Sequence, residues 1–173
     1  MRILICVITF FSIINLNNFT FAEEKIVYLN VNYVFSNSAS GKEVNKSFEK
    51  RVKNLENDVN KFTKNINSKK EKLIKQKNIL SEANYNKEFT DLDNTIKEFN
   101  KKIATRNNEI IKLRKEVRSI FTKELQKILS NYSTKNSIQM ILKQEDILMG
   151  SKNLDISNDI LKIIDSSKIK LIQ

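Results

Sequence analysis

The 173-residue chain contains no histidine, no tryptophan and no proline, and only two glycines and one cysteine. Without histidine, and with one thiol, it cannot assemble a soft-ligand metal cluster, a Ser-His-Asp or Cys-His nucleophile, or an internal disulfide. Two glycines are too few for a phosphate-cradling loop or a dinucleotide fingerprint, since both need several backbone positions without a Cβ. No cofactor is expected, and because no convergent acid-base pair stands out, no enzymatic role either. The missing prolines leave long stretches rich in Lys, Glu, Asn and Ile unpunctuated, which favours extended helix. Positive charge is what the chain has in excess, with 31 Lys+Arg against 20 Asp+Glu.

Residues 1–22 read as a secretory signal. Met1-Arg2 is a short positive start, Ile3 to Ile14 is an uncharged apolar run, and Thr20-Phe21-Ala22 places small side chains where a signal peptidase inspects them. The apolar run falls short of the roughly 20 residues that a bilayer core requires, which argues against an anchor. Cleavage after Ala22 would remove Cys6 and leave 173 − 22 = 151 residues without a thiol.

Lys25 to Asn30 (KIVYLN) has the β-branched and aromatic content of a strand, and Val31 to Ser38 suits a short helical turn. From Gly41 the period becomes helical. Val52, Leu55, Val59, Phe62, Ile66, Lys69, Leu73, Gln76 and Leu80 alternate by three and four, and so do Phe89, Leu92, Ile96, Phe99, Ile103, Arg106, Ile110, Leu113, Val117 and Ile120. Each series is a coiled-coil seam. The only polar interruption between them, Ser81 to Asn86, suits a tight turn, so the two helices are expected to fold back on each other as an antiparallel hairpin on the order of 60 Å long. Near the open end the steps change: Val44, Phe48, Val52, Leu55 and Val117, Phe121, Leu125, Ile128 each cover 11 residues, marking where both helices leave the supercoil. Lys69, Gln76 and Arg106 place polar groups in the seam, where they weaken packing and set register.

Beyond the hairpin, Ser137 to Leu142 and Ile147 to Met149 are expected to form two short strands, and Asp155 or Ser157 to cap a last amphipathic helix. The expected fold class is therefore mainly α with a small β body. A long antiparallel coiled-coil hairpin arm (41–131) projects from a strand-containing body made of residues 23–40 and 132–173. A body of about 60 residues with open strand edges is marginal alone, and copies of itself would supply both burial and strand partners.

The charge is confined to the arm. Residues 41–131 carry 23 Lys+Arg and 13 Asp+Glu, while the rest of the chain after Ala22 carries 7 of each. A projecting arm of this sign raises the encounter rate with anionic partners. Nucleic acid is disfavoured, because Phe62, Phe89 and Phe99 are assigned to the seam and few rings remain for base stacking. An acidic polypeptide or an anionic lipid surface remains.

These parts together resemble the Skp/OmpH family of periplasmic chaperones. The likeness is carried by KIVYLNVNYVFSNSASGKEV at the start, the long charged hairpin, and SIQMILKQEDILMGSKNLDISNDILKIID at the end. In the last segment, Asp155, Ile156, Ser157, Asn158, Asp159, Ile160 and Leu161 match the family's Asp-Ile-Thr/Ser-x-Asp-Val/Ile-Leu helix start. The termini are the specific part; the arm matches in pattern only. The resemblance implies a periplasmic homotrimer whose arms hold unfolded outer-membrane proteins without using nucleotide. It also implies a basic lipopolysaccharide-contact cluster, for which Lys112, Arg114, Lys115 and Arg118 are the nearest candidates. Ile74, Ile79 and Ile111 lie beside the seam and Tyr85 near the tip, and these four are the candidate client contacts. An exported coiled-coil adaptor of an envelope assembly is the alternative function.

Overall fold

In the computed structural model the chain is described over residues 25–172, so the expected signal segment lies outside the described residues. Strand β1 (Lys25–Leu29) turns Val27 and Leu29 inward and pairs in parallel with β2 (Ile138–Lys143). A parallel pair needs a long crossover. Here the crossover is the whole arm: α1 (Val31–Asn37), α2 (Ala39–Gln76) and α3 (Glu82–Lys135), with α4 (Ser157–Ser166) following β2.

Short polar side chains set the helix boundaries. Asn30 begins α1 by accepting the Tyr33 N–H at 2.7 Å, and Ser38 both ends α1 and begins α2, its Oγ accepting the Gly41 N–H at 3.1 Å. Asp165 on α4 accepts the Ala39 N–H at 2.8 Å, placing a carboxylate at the positive end of α2. Asp155 accepts both the backbone N–H and the hydroxyl of Ser157, whose Oγ in turn accepts the Asn30 N–H at 2.9 Å. The Asp-Ile-Ser motif thus ties the end of the chain to the junction of β1 and α1.

The hairpin forms, with its turn earlier than expected. Residues 77–81 make the connection, and Ser81 accepts the Asn84 N–H as the cap of α3, so Ser81 to Asn86 opens a helix instead of forming the loop. The helices are also unequal, at 38 and 54 residues, or about 57 and 81 Å at the usual rise. The far end of α3 runs down into the body, where Tyr132 donates to Asp159 of α4 at 3.2 Å.

Burial is densest where the 11-residue spacings place the base of the arm. Val44, Phe48, Val117, Phe121 and Leu125 join Val27, Leu29, Val34 and α4's Ile160 and Ile164 in one core. The rings of Phe35 and Phe121 meet edge to face at 5.0 Å. The second expected strand does not form. After β2 the chain passes through a 3-10 turn at Gln144–Asp146, and residues 147–149 pair with nothing among the described residues. The free edge of β1 is already taken by the Asp155 segment, through the Tyr28–Asp155 bridge and an Ile156 N–H to Tyr28 carbonyl bond of 3.0 Å. Among the described residues only the outer edge of β2 stays open, and residues 147–149 do not pair with it.

Candidate functional site: the arm and the cleft at its base

The arm is held by a thin seam. Leu55, Ile66 and Leu73 of α2 are buried, but Val59 and Phe62 beside them and Leu92, Ile96, Phe99 and Ile103 of α3 are only half-buried. In mid-arm the rings of Phe62 and Phe99 stack in parallel at 3.6 Å. One turn nearer the body, Arg106 reaches from its seam position to Asp58, donating at 2.6 Å. Among the described residues this is the only ion pair between the two long helices, and it fixes their register. Lys69 and Gln76, the other polar seam positions, are exposed.

The hydrogen bond from Arg106, followed by the charges of Arg106, Lys61 and Lys102, holds the Asp58 carboxyl below its ordinary value of 3.8, with partial desolvation opposing. A carboxyl depressed in the folded state adds stability above its unfolded pKa and loses it as pH falls through the folded one. Asp58→Asn is therefore expected to loosen the mid-arm at neutral pH, by an amount kept small by exposure and salt, and to match the wild type as pH drops below 3.8. Amide exchange of the arm across a pH series checks this; a gap that persists in acid would exclude the ion pair as its source.

The four candidate client contacts do not form one patch. Ile74 and Ile79, 68% and 80% exposed, stand near the tip; Ile111, at 52%, sits far down α3; Tyr85 is half-buried. Phe89, assigned to the seam by periodicity, is 56% exposed instead, near the last turn of α2, which runs to Gln76. The basic candidates divide as well. Lys112 lies beside Glu116 at 3.9 Å and Lys115 is exposed, while Arg114 covers the face of Phe48 at 5.2 Å and with Arg118 lines a cleft.

That cleft, of about 1320 Å³, lies where the arm meets the body. Its apolar wall comes from residues such as Phe35, Phe48, Phe121 and Ile141, and its charged groups are Lys53, Arg114, Arg118 and Lys143 against Glu49, Glu56 and Glu145. The sequence marks the junction through its 11-residue spacings. The cleft itself is not readable there, because it needs β2 and α1 to lean on the hairpin from opposite ends of the chain.

Among the described residues no helix is long and apolar enough to cross a membrane. The profile of the family described as "Outer membrane protein (OmpH-like)" matches residues 25–164. No curated protein matches the chain. An OmpH-like crystal structure from Caulobacter crescentus CB15, assigned there as a candidate outer membrane chaperone, superimposes with a TM-score of 0.77 over 88% of this chain and 89% of that one, at 14% identity. At such identity the structural likeness shows the fold: long paired helices over a small two-stranded parallel sheet. The family match spans both ends of the arm and both halves of the body, and by it the chain belongs to the OmpH-like outer membrane protein family.

Proposed function

We propose that the protein is an ATP-independent holdase of the periplasm that binds unfolded outer-membrane proteins and keeps them from aggregating on their way to the outer membrane. The observation that carries this reading is the arm: a long projecting hairpin with the chain's excess positive charge and isolated, exposed apolar side chains such as Ile74, Ile79 and Ile111. Separated isoleucines of this kind bind weakly one at a time. Several engaged at once hold a chain without selecting one pose, and a basic field steers acidic precursors to them. Family membership supports the same reading. Export through residues 1–22, assembly as a homotrimer through the body, and contact of Lys112, Arg114, Lys115 and Arg118 with an anionic lipid or lipopolysaccharide surface complete the proposal.

Diluting an unfolded outer-membrane barrel protein from urea, with and without this protein, and following light scattering tests it. Scattering should be suppressed near one trimer per client and for several different barrels. An exported adaptor would instead select one folded partner. Unchanged scattering at a few-fold molar excess would overturn the holdase reading.

A further inference from the structure

The base cleft opens on one side of the hairpin, and that side can be followed outward. α2 contributes Lys53 and Glu56 to it, and α3 contributes Arg114 and Arg118. In a supercoiled hairpin a step of seven returns to the same side of the helix. Sevens from Lys53 and Glu56 give Asn60, Asn67 and Thr63, ending at Ile74 and Lys70; sevens from Arg114 and Arg118 give Asn107, Asn100 and Ala104, together with Ile111 and Lys97. Above Glu56 this edge carries no carboxylate until Asp93.

The opposite edge differs in charge. It is located by Asp58, which pairs with Arg106 and feels the charges of Lys61 and Lys102. Sevens from Lys102 reach Glu88, Glu109 and Glu116, and its neighbour one turn earlier is Glu98. The arm's net charge therefore hides a division. One edge mixes acids with bases along its length; the other, between Glu56 at its base and Asp93, which pairs with Lys97 at 2.7 Å, is amide, methyl and cation, and runs into the cleft with its apolar wall.

We infer that the cleft-side edge is the track on which an extended segment of an acidic, unfolded polypeptide lies. The inference rests on the holdase reading and assigns it a surface. Exposed asparagine amides both donate and accept, and so match a backbone that has no secondary structure to satisfy it. Ile74 and Ile111 take apolar side chains, and the missing carboxylates remove repulsion of an acidic chain. From Arg118 to Lys97 the edge runs about 30 Å, room for roughly nine extended residues.

The test compares equal charge changes on the two edges. N67D with N107D places acids on the track, and S68D with T105D places the same two charges on the other edge. Affinity for a urea-unfolded, acidic outer-membrane barrel protein, read by fluorescence titration, should fall about tenfold for the first pair and less than about twofold for the second. As a readout independent of the substitutions' charge, single cysteines at Asn107 and Thr105 carrying a benzophenone should crosslink the barrel protein from position 107 and not from 105. Equal loss from both pairs, or equal crosslinking, overturns the track while the holdase reading stands. A wild-type protein that binds no unfolded barrel overturns the holdase reading, and the track with it.

Discussion

Gly41→Ala is expected to lower stability by about 3 kcal/mol or more, although alanine in place of glycine inside a helix ordinarily gains about 1 kcal/mol. The sign reverses because of what surrounds Gly41. A Cβ there would stand 1.7 Å from the Phe35 carbonyl oxygen, 2.8 Å from its carbon and 2.9 Å from Ser38 Oγ. The first two are backbone atoms, so no rotamer change relieves them. Nor can the segment shift alone. Ser38, fully buried, donates its N–H to Val34 and its hydroxyl to Phe35 while accepting the Gly41 N–H, so one side chain terminates α1 and starts α2. Phe35 is also held through its ring against Phe121. Moving its carbonyl would disturb the contact that seats α3 on the body.

Urea unfolding followed by circular dichroism checks this, with Gly150→Ala as the internal comparison. At Gly150 the nearest atom to a new Cβ is the Tyr28 ring edge at 2.9 Å, a side chain able to turn. That substitution should cost less than about 1 kcal/mol. Similar losses at the two glycines would show that the elbow at Ser38 is not the constraint described.

The arm was legible because its signals are local. A seam alternating by three and four, with a polar gap between two such runs, needs nothing beyond the helix itself. The change to 11-residue spacing pointed to the same side chains, Val44, Phe48, Val117, Phe121 and Leu125, that the fold buries at the base. The misreadings came from competition between signals and from distance along the chain. At Ser81 a helix cap outweighed a polar run that looked like a loop. At Phe89 the period gave a seam position, but beside the last turn of the partner helix the ring stays more than half exposed. At residues 147–149 the composition suits a strand, yet the Asp155 segment occupies the β1 edge and the 3-10 turn at Gln144–Asp146 separates these residues from β2, so they pair with no strand among the described residues. Of the basic candidates, proximity in sequence put Lys112 beside Arg114, whereas the structure pairs one with a glutamate and lays the other on a phenylalanine.

Replacing Leu148 and Met149 together with glutamate is expected to convert the proposed trimer to monomers while leaving the fold of each chain intact. The two side chains are 108% and 90% exposed, more than any other large apolar group in the described chain, and they sit in a body whose own core is small. The outer edge of β2 is unpaired among the described residues, and Met140 and Leu142 on that strand are 51% and 38% exposed. A two-stranded sheet with a bare, apolar edge is marginal by itself and invites another strand. The segment carrying Leu148 and Met149 has strand composition and pairs with no strand among the described residues, and Gly150 beside it lies against the Tyr28 ring of β1, so it is a surface unlike the β2 edge. A contact between two unlike surfaces of one chain repeats head to tail and closes into a ring, as a trimer requires. Burying a Leu or Met side chain is worth roughly 1.5–3 kcal/mol, so two lost per contact should weaken each by at least about a hundredfold, before the cost of enclosing two carboxylates. Sedimentation should show the mass falling to one chain, with the circular dichroism spectrum unchanged because neither side chain touches the core. Ile74→Glu with Ile79→Glu, also exposed at 68% and 80% but at the tip, should leave the mass as it was. A double variant at 148 and 149 that still sediments with wild-type mass would rule out this segment as the joint. A folded monomer is also the state that separates the arm's two contributions: it keeps every basic and apolar group yet has one arm in place of three. Its grip on an unfolded barrel protein should therefore weaken far beyond the loss of any single arm contact, because binding that depends on several weak sites at once collapses when they are no longer linked.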